Sequence, residues 1–348
     1  MAGNKNLNAA IKAKKDEFYT QLSDIEKELK HYKNAFRGKV VLCNCDDPRV
    51  SNFFHYFAYN FEQLGLKKLI TTCYKNQDVD LFTQNKSEHA VYLEYYGTKN
   101  GNSIPSAEEI GIKKLKGDGD FRSKECVELL KQADIVVTNP PFSLFREYVA
   151  QLIEYHKKFL IIGNIASAST KEIFPLIMNN KIWMGTSIHS GDRKFWVPDD
   201  YELKASGCGI DENGKKFIRV KGVRWFTNLD NKDRHEDMTL YKFYNKVEYP
   251  KYVNYDAIDV GKTADIPQDY FGEMGVPITF LDRYNPQQFE IIGHSLSLAN
   301  MDIIKQEMGK LNGGPRFYIR KDGSLKRLFE RIIIKRKNKQ LWKYHFMR

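Results

Sequence analysis

Asn139-Pro140-Pro141-Phe142 is the segment of this chain whose residue types and order best suit a chemical task. The preceding Asp134-Ile135-Val136-Val137-Thr138 reads as a strand, and the two prolines end it abruptly. Each proline fixes its φ angle and lacks an N–H, so the loop is stiff and its carbonyls are left to face a pocket. The amide oxygen of Asn139 and the backbone carbonyl of Pro140 can both accept hydrogen bonds from one exocyclic amine. An aromatic amine is a poor nucleophile because its lone pair is delocalised into the ring. Two acceptors pulling on its hydrogens favour a more tetrahedral nitrogen with an available lone pair. Phe142 offers a flat face on which a base can stack. The plain alternative is an ordinary Pro-Pro turn. A strand before the loop, a helix after it and Phe at the fourth position favour the chemical reading.

Two further polar clusters follow apolar runs. In Gly117-Asp118-Gly119-Asp120-Phe121 the Asp120 carboxylate can accept from the amino group of a cofactor adenine, and Phe121 can cover the ring. A Gly/Asp turn is the simpler reading of the same residues. In Asn44-Cys45-Asp46-Asp47-Pro48 the two carboxylates can attract a cationic part of a cofactor, while Asp47 before Pro48 also fits a helix cap. Cys43 and Cys45 lack the second pair or nearby histidine that would complete a zinc site, so they read as small apolar residues of a strand end. The five cysteines are odd in number and scattered, which argues against a disulfide framework.

These clusters need a scaffold that brings strand ends together. Val40-Val41-Leu42, Lys68 to Tyr74, Ile135-Val136-Val137 and Phe159 to Ile162 read as short buried strands, with a weaker one near Ile112 to Leu115. Helices are expected from about Asn52 to Leu64, Leu144 to Ile153 and Thr170 to Met178. Ser23-Asp24-Ile25-Glu26 reads as a helix start, with Ile25, Leu29, Tyr32 and Phe36 at helical spacing. Continuously apolar strands alternating with helices imply an α/β fold with a mostly parallel sheet covered on both faces. The three polar clusters would then share the carboxyl rim of that sheet, where ligands bind in open α/β folds. Phe195-Trp196-Val197 and Val223-Arg224-Trp225-Phe226 are expected to pair antiparallel at one sheet edge. Beyond about residue 240 periodicity fades, which puts a boundary between a catalytic region, 1–240, and a second region, 241–348.

The 348 residues suit two domains, and the 42% hydrophobic content suffices for a core. No apolar run approaches a membrane span, and no signal peptide is legible at the N-terminus, which predicts a cytoplasmic protein. Residues 316–348 hold twelve Lys or Arg against Asp322 and Glu330, a net of +10 out of the chain's +11. A basic end on a balanced body points to a polyanion, with Lys335, Arg336, Lys337 and Lys339 as the phosphate-facing cluster. The alternative is a solvated tail, against which the apolar run Ile332-Ile333-Ile334 speaks.

Long blocks of the chain resemble the EcoRI-type adenine-specific DNA methyltransferases. They include Asp16-Glu17-Phe18-Tyr19-Thr20, Asn44 through Phe54, Gly117 through Ser123, Ser143 through Tyr148, Trp225 through Asp230 and Gly275 through Leu281. The resemblance spans most of residues 15–292. It implies a Rossmann-like class I S-adenosylmethionine-dependent methyltransferase sheet with a C-terminal target-recognition domain. It also implies transfer of a methyl group from S-adenosylmethionine to adenine N6 within a short sequence of double-stranded DNA. By that resemblance Tyr19 and Thr20 lie near the methionine end of the cofactor, Asn44 and Asp46 follow the first strand, Asp120 and Phe121 form the adenine pocket, and Asn139 to Phe142 the catalytic pocket. Such an enzyme works beside a cognate restriction endonuclease without a stable complex, or as an orphan. The chain departs from the wider methyltransferase pattern in two places. No glycine-rich loop follows the first strand, and the second ends in Thr72-Cys73-Tyr74, without the acid that commonly holds the ribose. Beyond residue 295 the resemblance is least, so the DNA sequence recognised is not carried over.

The target base must leave the duplex to react, which costs a few kcal/mol. Its amine would attack the sulfonium methyl in line, with no covalent enzyme intermediate and no metal implied. Cytosine N4 methylation uses the same amine chemistry, and methylation of a protein glutamine or an RNA base is a further alternative. A DNA-binding relative without catalysis is the rival from another class.

Overall fold

The computed structural model describes residues 20–44, 47–74, 89–97, 106–197, 203, 207–309 and 313–337. Two compact units divide the chain: Met1–Ile173 with Ile182–Asp230, and Phe174–Lys181 with Asn231–Arg348. The division falls after Asp230 rather than near residue 240. Side-chain bonds explain this, because Gln288 binds both the N–H and the carbonyl of Met238 at 2.7 Å, and Asn285 donates to Asp237 at 3.0 Å.

The first unit is built on an eight-stranded sheet. Its strands are β1 (Val40–Asn44), β2 (Lys68–Cys73), β3 (Val91–Tyr95), β4 (Lys113–Lys114), β5 (Ile135–Thr138), β6 (Lys158–Asn164), β7 (Trp183–Met184) and β11 (Val223–Thr227), in the order β4-β3-β2-β1-β5-β6-β11-β7. The four central strands, β2-β1-β5-β6, are parallel, and they are the runs that sequence marks as continuously apolar. The flanking strands are antiparallel, so the sheet is mixed rather than mostly parallel. β3 was not expected. Its Val-Tyr-Leu-Glu-Tyr alternates buried and half-buried positions, the pattern of an antiparallel strand near a sheet edge rather than a central one. The strand expected at Ile112–Leu115 shrinks to the exposed edge pair Lys113–Lys114.

Helices cover this sheet. In α1 (Leu22–Leu29) and the 3₁₀ turn Lys33–Phe36, the residues Ile25, Leu29, Tyr32 and Phe36 are all buried, as their spacing predicts. Ser23 lies inside α1, whose N-cap is Gln21. The helix after β1 is α2 (Asn52–Tyr59), with a separate turn at Phe61–Leu64. Its cap is not Asp47 but Ser51, which accepts from the Phe54 N–H at 3.3 Å. α3 (Lys124–Gln132) precedes β5, and α4 (Phe145–Glu154) follows it.

The segments around Phe195 and Val223 do not pair with each other. β8 (Asp192–Trp196) joins β10 (Lys216–Lys221) and β9 (Gly209–Ile210) in a separate three-stranded sheet. Gly222, at φ +76°, turns the chain from β10 into β11, which pairs with β6.

In the second unit the expected helix Thr170–Met178 is only α5 (Phe174–Met178). A four-stranded sheet runs β12-β13-β17-β14, from β12 (Ile258–Asp259), β13 (Glu273–Pro277), β14 (Phe289–His294) and β17 (Arg331–Arg336), and β15 (Tyr318–Lys321) pairs antiparallel with β16 (Ser324–Arg327) in a separate two-stranded sheet. β17 lies antiparallel between β13 and β14 with Ile332, Ile333 and Ile334 fully buried. The last basic stretch therefore grows out of a core strand. Beside it, Asp259 accepts from Arg331 and from the Tyr252 hydroxyl, both at 2.8 Å. A buried charge paired and hydrogen-bonded in this way is costly to break on one side alone. Among the described residues no helix is long and apolar enough to cross a membrane.

Candidate active site

Parallel strands β1, β2, β5 and β6 point their carboxyl ends the same way, so Asn44, Cys73, Thr138 and Asn164 end on one rim. Two side-chain bonds lock this rim. The Thr138 hydroxyl donates to the Asn44 carbonyl, and the Tyr148 hydroxyl donates to Asn44 Oδ1. Asn44 is buried and serves as a brace between β1, β5 and α4. Tyr148 was not singled out from sequence. In the sequence it stands only as the last residue of the block Ser143 through Tyr148, with no role attached, an aromatic with a polar tip on the helix that follows the Pro-Pro loop.

Asn139 and Pro140, directly after β5, are buried, and Pro141 is half-buried. The Pro141 carbonyl accepts the Leu144 N–H at 3.0 Å and closes the turn into α4. Phe142 is 8% exposed and meets Phe195 edge to face at 6.5 Å. Most of its ring is thus packing surface, supported by a strand of the three-stranded sheet. Gly163 makes room for the helix that follows, since a Cβ there would collide with the Phe145 ring.

The Gly117–Phe121 loop joins the same rim. Gly119 has φ +83°, and a Cβ on it would come within 2.6 Å of the Cys73 carbonyl and 3.0 Å of Tyr74 Cα. Only glycine allows the loop to lie this close to the end of β2. Phe121 then packs edge-on against Tyr148 at 5.0 Å, and its carbonyl accepts from Gln151 at 3.0 Å. Asp120 is gripped by Arg122. Oδ1 accepts from the Arg122 N–H and Nε at 2.8 and 2.9 Å, and Oδ2 from Nη2 at 2.7 Å. These bonds hold the Asp120 carboxyl below the usual carboxylate range, so it is ionised at neutral pH. Glu147 steadies the other side of Arg122 at 2.7 Å. Arg122 and Glu147 were not picked out from sequence, because their pairing depends on α4 meeting a loop 25 residues away.

Thr20 is buried, and its carbonyl accepts from Asn52 at 2.6 Å, tying the chain before α1 to the start of α2. The Thr20 hydroxyl has no hydrogen-bond partner among the described residues. Asp47 is buried as well, accepting from the Arg49 N–H and guanidinium at 2.9 Å. Tyr19, Cys45, Asp46 and Lys339 lie outside the described residues. Among the described residues no group of His, Cys, Asp or Glu is arranged to hold a metal ion.

A further buried carboxylate had no sequence signal. Glu28 on α1 is fully buried and accepts from the N–H groups of Thr186 and Ser187 at 2.9 and 2.7 Å and from Tyr32 at 2.9 Å. It fastens the N-terminal helix to the loop after β7 across 158 residues of sequence.

The basic cluster lies in the second unit. Lys335 is exposed and sits in register between Glu273 and Glu290. The Arg336 guanidinium lies over the Phe271 ring at 5.2 Å, and Lys337 donates to the Pro286 carbonyl at 2.8 Å.

Comparison with known proteins adds family membership to this geometry. The family model described as adenine-specific methyltransferase EcoRI matches residues 6–337. Type II methyltransferase M.EcoRI of Escherichia coli is 52% identical over 87% of this chain and 93% of its own length. Type II methyltransferase M.MgeORF184P of Mycoplasma genitalium is 40% identical over 95% of this chain and 98% of its own. Type II methyltransferase M.MpnI of Mycoplasma pneumoniae is 41% identical over 82% and 84%. No solved structure matches the chain. With the family model matched along nearly the whole sequence, this chain belongs to the adenine-specific EcoRI methyltransferase family.

Proposed function

We propose that this chain methylates the N6 amine of an adenine at a defined site in double-stranded DNA, with S-adenosylmethionine as the methyl donor. One observation carries the reading. Contacts from Phe121 to Tyr148, from Tyr148 to Asn44 and from Thr138 to Asn44 tie the Asp120 loop to the residue before Asn139, at the carboxyl ends of parallel strands. Fit to the cofactor is supported by the buried Thr20 hydroxyl, which has no partner among the described residues, and by the close seat that Gly119 gives the Asp120 loop. In this reading Asp120 accepts from the adenine amino group of the cofactor. Its Oδ2 takes one bond from Arg122 among the described residues, and a carboxylate oxygen can take more. Phe121 borders the same ring, Thr20 faces the methionine end, and Asn44 braces the rim. Tyr19 and Asp46 are assigned from the resemblance. S-adenosylmethionine supplies an electrophilic methyl group when bound.

The chain's own residues do the rest. Asn139 Oδ1 and the Pro140 carbonyl accept the two N6 hydrogens of an adenine swung out of the duplex, and the Phe142 ring borders that base. Positioning of the amine and exclusion of water supply most of the rate. The second unit reads the DNA, with Lys335, Arg336, Lys337 and Lys339 facing phosphates. The relatives are called Type II methyltransferases, and we read this chain likewise, acting beside a cognate endonuclease without a stable complex.

Methyl transfer from radiolabelled cofactor to DNA, followed by nucleoside analysis, tests this directly. N6-methyladenine is the expected product, and N4-methylcytosine or unlabelled DNA overturns the reading. Asn139→Ala should lower kcat by about 10²–10³, the usual loss for one polar group of a preorganised site. Near-parent turnover would remove Asn139 from the mechanism.

A further inference from the structure

The hairpin β15–β16 of the second unit has almost nothing packed on it beyond its root. From Arg320 to Arg327 every residue is exposed except the half-buried Leu325. The root is firmly seated. Phe317 stacks on Tyr252 at 4.5 Å and on Tyr255 at 5.2 Å. The Tyr318 N–H donates to Asn254 at 3.0 Å, and the Tyr318 carbonyl accepts the Val253 N–H at 2.8 Å. The turn is equally well defined. Lys321 pairs with Ser324, and between them Asp322 and Gly323 both take left-handed φ values, +50° and +76°. A two-residue turn of this kind follows the right-handed twist of its strands, and Asp-Gly is a preferred sequence for it. A two-stranded ribbon on its own adds little to the stability of a fold. An ordered one that buries so little is suited to contact with something else.

Its two faces differ. Side chains alternate along a strand, so Arg320, Leu325 and Arg327 share one face, and Lys321, Ser324 and Lys326 share the other. The first face is engaged by the unit itself. Arg320 donates two bonds to Glu307 of α6 (Met301–Met308), at 2.8 and 2.9 Å, and Arg327 donates to the Gly314 carbonyl at 2.9 Å. The second face presents exposed Lys321, Ser324 and Lys326, with exposed Asp322 at the tip. Residues 318–327 carry four cations and one acid, a balance that draws a polyanion. A tip made for phosphates alone would gain nothing from Asp322, whose carboxylate repels them. In the major groove of DNA every one of these groups has a partner. A lysine ammonium meets the O6 and N7 acceptors of guanine, a carboxylate accepts from cytosine N4, and a serine hydroxyl donates or accepts. That groove, about 12 Å wide, admits a two-stranded ribbon. Ser324 faces Lys321, and Lys326 lies two residues further along, so the two lysines stand roughly 7 Å apart along the ribbon. This is about the rise of two base pairs.

We propose that β15–β16 enters the major groove of duplex DNA and reads G·C pairs there, with Lys321 and Lys326 on guanine and Asp322 on cytosine. The inference rests on the reading of this chain as a DNA methyltransferase, and it assigns part of the sequence choice to one named element of the second unit. Glu307 and the Gly314 carbonyl hold the ribbon from its opposite face.

The test uses the full chain and a duplex carrying the sequence that the parent protein methylates, found by mapping methylated adenines in treated DNA. Single base-pair changes are made through that sequence and its flanks. Affinity for each duplex is read by fluorescence anisotropy at fixed salt. In the parent, changing a G·C pair that the ribbon reads should cost about 5- to 150-fold, the range for one good base contact. Lys321→Ala with Lys326→Ala should erase that cost at one or two G·C pairs and leave every other position as it was. Asp322→Gly keeps the left-handed turn and should relax the choice of cytosine in the same stretch. A second arm leaves the protein unchanged. Guanine at those pairs is replaced by 7-deazaguanine, which lacks the N7 acceptor, and this should weaken binding by the parent but not by the lysine variant. Inosine, altered only on its minor-groove edge, should be tolerated by both. The substituted residues are exposed, so the variants should keep the parent's melting temperature. An equal loss by the lysine variant on every duplex means phosphate contact alone and overturns the proposal, as does parent-like affinity and preference. Either result leaves the methylation reading intact. A parent protein that methylates no DNA overturns both.

Discussion

Replacing Tyr148 with Phe removes one hydroxyl from the brace that holds the rim together. The ring stays, so its edge-on contact with Phe121 at 5.0 Å should survive. What is lost is the hydrogen bond to Asn44 Oδ1, between two buried side chains. A buried amide oxygen stripped of its donor costs about 1–3 kcal/mol. For a unit of this size that corresponds to a fall in Tm of roughly 2–12 °C. The functional loss follows from position, because the Asn44 carbonyl also receives the hydroxyl of Thr138, the residue before Asn139. A looser Asn44 lets the Asn139 loop and the Phe121 loop drift apart, so kcat should fall and the KM for S-adenosylmethionine should rise. Urea unfolding and steady-state methylation of the parent, Tyr148→Phe, Asn44→Ala and the double variant form a double-mutant cycle. The coupling between the two positions should be on the order of 1 kcal/mol or more, since each single change breaks the same bond. Additive effects in stability, with parent-like kinetics for Tyr148→Phe, would refute the brace.

Gly119→Ala puts a Cβ within 2.6 Å of the Cys73 carbonyl at a positive φ, so it should cost about 1–3 kcal/mol in stability and weaken S-adenosylmethionine binding by calorimetry. His294 caps the turn after β14 by accepting the Leu296 N–H at 3.1 Å, and burial lowers its pKa. The unfolded chain therefore takes up a proton that the native imidazole resists, so stability present above the ordinary histidine pKa of about 6.5 falls as pH drops below it. His294→Asn puts a capping oxygen in place of Nδ1 and should flatten that part of the stability curve between pH 8 and 5, as read by urea midpoints. Lys335→Gln with Arg336→Gln should reduce the slope of log affinity against log salt by up to about 1.8 with little change in preference between DNA sequences. An unchanged slope would move the phosphate path away from the end of β17.

Much of the catalytic unit was legible in the order of residues alone. β1, β2, β5 and β6 are continuously apolar because both faces of a central parallel strand are covered. Such burial leaves a mark that does not depend on which strand lies next door. The polar clusters after these strands stand out for the same reason, since prolines and acids are excluded from the strands themselves. Partner choice leaves no such mark. β3 falls in a stretch with no strand expected until its pairing with β2 is known, and the apolar run of β17, legible as buried from sequence, shows its neighbours β13 and β14 only in the fold. Tyr148 with Asn44 and Glu28 with Thr186 are bonds across 104 and 158 residues. A local pattern reports whether a side chain faces water or the interior. Only the tertiary fold decides which distant group meets it there, because that depends on the summed packing of every element between the two.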